Sequence, residues 1–156
     1  MISKDDKLLS RLQALCSRKE YCSSEMYRKA LKGLDGDEEG AAQMLQLLVA
    51  DKYVDDLRYA TAFARDKSAL DGWGPVKISF ALKGKGIDAA TVAGALAAVD
   101  PEKSGDKLRS ILESKYRMLK GSGDVRLKLL KFALARGYQY DGLDALVREI
   151  MSDGQS

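Results

Sequence analysis

Three short apolar patterns recur along this chain at one fixed interval, and that interval constrains the fold more than any other feature. Ala41, Met44, Leu45 and Leu48 have the i, i+3, i+4, i+7 spacing that gathers side chains on one face of a helix. Val92, Ala95, Leu96 and Val99 repeat it, and Leu143, Leu146, Val147 and Ile150 repeat it again, each set 51 residues after the last (41, 92, 143). The same offset relates Tyr27/Leu31, Ile78/Leu82 and Leu129/Ala133, and pairs Leu8/Leu12 with Tyr59/Phe63; in the third copy that last pair slips to Leu108/Leu112. A helical unit of this length buries its apolar face by stacking on a neighbouring copy. The expectation is therefore an all-α fold, an elongated array of three tandem three-helix repeats at 1–52, 53–100 and 101–156, continuous with one another.

Each copy divides into three helices, with predicted spans 3–19, 23–33, 38–50, 55–70, 75–85, 89–99, 101–119, 124–136 and 140–152. Start and stop signals support the division. In Asp100-Pro101 a capping side chain precedes a proline whose missing N–H is harmless at the first helical position. Gly86 suits a helix C-terminus, Asp88 caps the next helix, and Ile87 with Val92 forms a hydrophobic staple. Within 124–136, Val125, Leu129, Phe132 and Ala133 follow one face while Leu127, Leu130 and Leu134 follow another. That helix is expected to be buried on much of its circumference, leaving its basic residues a narrow arc.

No apolar run approaches the roughly 20 residues that span a bilayer, and the opening MISKDDKLL lacks the apolar stretch of a signal peptide, so the reading is a cytoplasmic chain with no membrane contact. Two cysteines, Cys16 and Cys22, and no histidine leave no four-ligand zinc site of the usual kind. A disulfide between the two cysteines would suit an oxidising compartment that nothing else suggests. The missing histidine removes the commonest general base, and the adjacent pairs Glu38-Glu39 and Asp55-Asp56 point about 100° apart on a helix, so neither is a natural carboxylate dyad. The reading is a protein without catalytic residues, cofactor or metal.

Net charge is +3, but residues 107–136 hold nine basic side chains against Glu113 and Asp124, a local +7, whereas the last twenty residues hold one basic against four acidic, or −3. A stretch of that kind is either a solvated helical face or a surface for a polyanion.

The segment GWGPVKISFALKGKGI at 72–87 has the glycines of a phosphate loop without its context. Lys77 occupies the place of the third glycine, the preceding residues are helical in pattern, and Gly84-Lys85-Gly86 has neither the spacing nor the hydroxyl of a nucleoside-triphosphate loop. Gly74-Pro75 opens a helix and Gly84 and Gly86 close it, so these glycines read mostly as punctuation.

With these residues in view, 58–87 resembles the central segment of the RecX family of regulatory proteins. Arg58, Tyr59, Ala60, Phe63 and Arg65, then Gly72, Gly74, Pro75, Ile78, Leu82, Lys85, Gly86 and Ile87, match that family's pattern. YVDD at 53–56 is similar to its entry and KLLKFALARGYQYDGL at 128–143 to its C-terminal repeat. The first copy departs: ALKGLDGDEEG at 30–40 carries two extra glycines and an acidic run. The resemblance implies a helical, three-repeat modulator that binds in the groove of a RecA recombinase filament on single-stranded DNA, suppresses ATP hydrolysis and strand exchange, and touches DNA itself, single-stranded and double-stranded. The protein is expected to act as a monomer.

The candidate partner or DNA contacts are Arg58, Arg65, Trp73, Lys77, Lys83, Lys85, Arg126, Lys128, Lys131 and Arg136. Lys77, Lys83 and Lys85 lie in an acid-free run from 72 to 87, and with Arg126, Lys128 and Lys131 of the equivalent helix they are expected to form a basic stripe. Trp73, between two glycines, is an interface aromatic or a cover for the neighbouring helices. Tyr59 and Phe63, one turn apart, read as packing. A second function from the same residues is an autonomous nucleic-acid-binding helical module with no RecA partner, and a third is a repeat scaffold for an unrelated protein.

Overall fold

The computed structural model describes residues 3–154. Among these residues are nine helices and no strand: α1 (Lys4–Arg18), α2 (Ser23–Gly33), α3 (Glu38–Ala50), α4 (Asp56–Ala69), α5 (Pro75–Gly84), α6 (Ala89–Ala97), α7 (Pro101–Leu119), α8 (Val125–Ala135) and α9 (Leu143–Asp153). The all-helical expectation holds, and no helix of the described residues is long and apolar enough to cross a membrane.

Local chemistry sets the helix starts. Ser3 and Asp6 form a capping box on α1, the Asp37 carboxylate accepts from the Gly40 N–H at 3.0 Å, Asp88 from Thr91 at 2.7 Å, and Asp100 from Glu102 at 2.9 Å beside Pro101. Each satisfies an N–H that the first helical turn leaves without a partner. The ninth helix begins at Leu143 rather than at 140, because Gly142 takes φ +75 and the Leu143 N–H closes a turn onto the Tyr140 carbonyl at 3.0 Å.

The 51-residue interval reappears in the backbone. The N–H groups of Gly36, Ile87 and Tyr138 donate to the carbonyls of Leu31, Leu82 and Ala133 at 2.9, 3.3 and 3.2 Å, each across a left-handed residue, Asp35, Gly86 or Gly137. These are the 6→1 bonds of a Schellman motif. The first copy thus keeps the helix-ending geometry of the others although Asp35 stands where they have glycine. What differs there is the packing of α2: Cys22, Met26 and Ala30 are fully buried while Tyr27 and Leu31 are only partly so, one residue out of register with Ile78/Leu82. No disulfide forms; Cys16 and Cys22 are both free thiols.

The chain gathers into two compact units, one of residues up to 62 with 82–95, the other of 63–81 with 96 onward. In the first, α1, α2 and α3 enclose Leu8, Leu12, Met26, Ala30, Ala41, Met44, Leu48 and Val54. In the second, α7, α8 and α9 enclose Leu112, Tyr116, Leu129, Leu130, Ala133, Leu143, Val147 and Ile150. The second unit also holds a backbone junction. Gly74 N–H donates to the Arg136 carbonyl at 2.7 Å and Val76 N–H to the Gly137 carbonyl at 2.9 Å. A Cβ on Gly74 would stand 2.5 Å from the carbonyl carbon and oxygen of Gly137 and the nitrogen of Tyr138. This glycine is more than punctuation: it lets one turn lie directly on another.

Candidate partner-binding surface

In the first unit, Arg58 is a clamp. Its Nε meets both Glu20 carboxylate oxygens at 2.8 and 2.9 Å, and its Nη2 donates to the Lys52 and Tyr53 carbonyls at 3.2 and 3.3 Å. The hydrogen bond to Glu20 raises its pKa above the ordinary value, so the clamp stays charged. Lys85 lies 3.8 Å from Glu25 and 5.8 Å from the centre of the Tyr59 ring. Its backbone carbonyl accepts from the Ser24 hydroxyl at 2.6 Å. Burial alone would lower the pKa of the Lys85 amine; Tyr59 and Glu25 outweigh it and raise the value. Lys83 is exposed and makes no ion pair among the described residues.

In the second unit, Trp73 covers rather than projects. Its ring meets Phe63 edge to face at 6.1 Å, and the ammonium groups of Lys67 and Lys77 stand 4.8 and 4.6 Å from its centre. Arg136 donates to the Asp71 carbonyl at 2.7 Å and lies over Phe132, tying the end of α8 to the turn before α5. Arg126 pairs with Asp144 at 2.8 Å, and Arg148 reaches the other oxygen of that carboxylate at 3.0 Å. Hydrogen bonds from Arg148 and Arg126 hold the Asp144 carboxyl below its usual range. Arg65 is exposed and reaches the Ala98 carbonyl only at 3.5 Å. Lys128 touches the Ser122 hydroxyl at 3.4 Å, and Lys131 is exposed with no ion pair among the described residues.

The ten candidates thus fall into two sets. Arg58, Trp73, Lys77, Lys85, Arg126 and Arg136 are engaged within the fold, whereas Arg65, Lys83, Lys128 and Lys131 direct charge outward.

The surface holds features that charge counting missed. Phe80 is 80% exposed, with Val76, one turn earlier on α5, 53% exposed. Their i, i+4 spacing on the side opposite Ile78 and Leu82 was legible in the sequence, but apolar residues draw attention as core candidates first. On α8 the expectation of burial on much of the circumference holds only in part: Leu129, Leu130 and Ala133 are buried and Val125 and Phe132 partly so, but Leu127 is 46% and Leu134 43% exposed. Part of that side is therefore open to solvent, although Leu130, which the pattern groups with Leu127 and Leu134, is buried.

Fold and surface together define a class: an all-helical protein that uses many of its ionic side chains to hold its own turns and presents lysines and scattered apolar side chains outward. Comparison with known proteins narrows it. Residues 55–96 match the family model for the RecX second three-helix domain. The chain is 25% identical over 158 residues to the regulatory protein RecX of Clostridium perfringens, covering 98% of this chain and 74% of that protein. It is 27% identical over 153 residues to that of Xanthomonas axonopodis pv. citri (96% and 91%), and 34% over 113 residues to that of Halalkalibacterium halodurans (71% and 42%). The crystal structure of RecX from Lactobacillus salivarius superposes with a TM-score of 0.83 at 21% identity, covering 94% of this chain and 96% of that one. This chain is thus similar to RecX regulatory proteins along nearly its whole length.

Proposed function

We propose that this protein regulates homologous recombination and DNA repair by docking on a filament of RecA recombinase and single-stranded DNA and inhibiting its ATPase and strand exchange. One observation supports the reading beyond the similarity to RecX proteins: the cation excess at 107–136 survives folding. Of its nine basic side chains, only Arg109 and Arg126 enter ion pairs among the described residues, leaving Lys107, Lys115, Arg117, Lys120, Lys128, Lys131 and Arg136 without one. A filament of nucleic acid and protein is a polyanion at its core, and unpaired cations steer a partner onto such a surface. The inhibitory step is mechanical: a protein seated across successive recombinase subunits resists the rearrangement that ATP turnover and strand pairing require. No chemistry by this chain's own side chains is invoked.

The same cations favour a second reading, an autonomous nucleic-acid binder, and one experiment separates the two. The DNA-dependent ATPase of the cognate RecA is measured with this protein well below one copy per recombinase monomer and single-stranded DNA in excess. Inhibition at that ratio means direct action on the filament, since so little protein leaves most of the DNA free. If ATPase falls only when the protein suffices to coat the DNA, the RecA reading is refuted and the nucleic-acid module stands. Charge reversal at Lys83, Lys128 and Lys131, whose side chains the fold does not use in ion pairs, tests the surface; inhibition unchanged at low salt would reject it.

A further inference from the structure

The outward face of α8 combines two properties that a single kind of ligand explains. At about 100° per residue, Leu127, Lys131 and Leu134 fall within a narrow arc, with Ala135 and Lys128 on its flank. All five are exposed, Leu127 by 46% and Leu134 by 43%, while Leu129, Leu130 and Ala133 fill the core beneath them. Neither lysine enters an ion pair among the described residues, and no acidic residue occurs from Val125 to Tyr140. The face is therefore apolar and cationic together.

Phosphates reward the lysines of such a face and leave the leucines in water. A base-stacking site rewards flat aromatic rings, and this arc has none. Leucines two turns apart on one helix have the anchor spacing by which an amphipathic helix enters an apolar groove. Lysines between and beside them select a groove rimmed by carboxylates. The complement of this face is thus a protein surface with an apolar recess and an acidic rim.

We propose that the outer face of α8, through Leu127, Leu134, Lys128 and Lys131, is a docking surface for such an acidic, recessed protein surface. The inference rests on the reading above and makes α8 a contact to the recombinase protein rather than to its DNA.

The test uses the full chain and two ligands: cognate RecA assembled on oligo(dT) with a non-hydrolysable ATP analogue, and bare oligo(dT). Leu127→Gln/Leu134→Gln is expected to bind the filament at least tenfold more weakly while its affinity for bare oligo(dT) stays within twofold, with helical content and melting temperature retained. Lys128→Glu/Lys131→Glu, changing only exposed cations, is expected to weaken filament binding and flatten its salt dependence; it keeps the test decisive should the glutamine variant lose stability. Wild-type-like filament binding by either variant overturns the proposal. Equal losses on bare oligo(dT) make the face a nucleic-acid contact and also overturn it. If the wild-type protein binds filament no better than bare oligo(dT), the recombinase reading itself falls, and the α8 proposal with it.

Discussion

Replacing Gly74 by alanine tests whether the turn-on-turn junction of the second unit organises that unit. The added Cβ meets three backbone atoms, of Gly137 and Tyr138, at 2.5 Å, where real Cβ contacts are essentially never found. Backbone cannot rotate aside as a flexible side chain does, so one turn must withdraw. Withdrawal stretches the bonds from Gly74 N–H to Arg136 at 2.7 Å and from Val76 N–H to Gly137 at 2.9 Å. Each such bond contributes about 0.5–1.5 kcal/mol net, and relieving an overpacked contact costs about 1–3 kcal/mol. The expected loss is about 2–6 kcal/mol, or a melting temperature lower by roughly 4–24 °C for a chain of this size. Gly105→Ala is the control, since nothing lies within 4 Å of its Cβ position and it stands inside α7. That change is expected to stabilise by about 0.5–1 kcal/mol through helix propensity alone. Thermal melts followed by circular dichroism give both values. A Gly74→Ala melting temperature within 2 °C of wild type would refute the junction's role.

Two further outcomes follow from burial and from titration. Ile78 is 1% and Phe80 is 80% exposed on the same helix, so denaturant melts should show Ile78→Ala destabilised by about 2–5 kcal/mol and Phe80→Ala by about 1 kcal/mol or less. Burial pushes the Glu25 carboxyl up, but the Cys22 N–H at 3.0 Å and the nearby Lys85 prevail and hold its pKa below the ordinary value. A depressed folded pKa contributes stability that is present above the unfolded value of about 4.3 and lost as pH falls through the folded value. Glu25→Gln, which keeps the acceptor for Cys22, should therefore flatten the acid limb of the stability profile below about pH 5; an unchanged slope in equilibrium unfolding would remove Glu25 from that account.

How much of this was legible beforehand differs from residue to residue. Asp88 and Asp100 read as caps and are caps, because an N-cap is a contact among a few neighbouring residues. The nine helices were placed to within about three residues, the largest error lying at Gly142, whose left-handed turn has no period to reveal it. Among the candidate contacts, nothing in the sequence separated Lys83 and Lys131, which face outward, from Arg58 and Arg136, which clamp carbonyls 5 and 65 positions away in the chain. Those carbonyls are backbone groups, which every residue carries and which therefore leave no mark in a sequence; the Glu20 carboxylate that Arg58 also holds lies 38 positions away, beyond any local pattern.

The all-helical class, the 51-residue interval, the caps and the local excess of cations are all written in the order of residues, since each depends on side-chain type and short-range spacing. That Gly74 must lack a side chain, that Trp73 is covered by Phe63 and two lysines, and that Leu127 and Leu134 face outward while Leu129 and Leu130 are buried emerged with packing alone. One cause underlies all three. A helix pattern shows which residues share a face, but which of two apolar faces is covered depends on where other helices arrive, and that is a property of packing between segments distant in the chain.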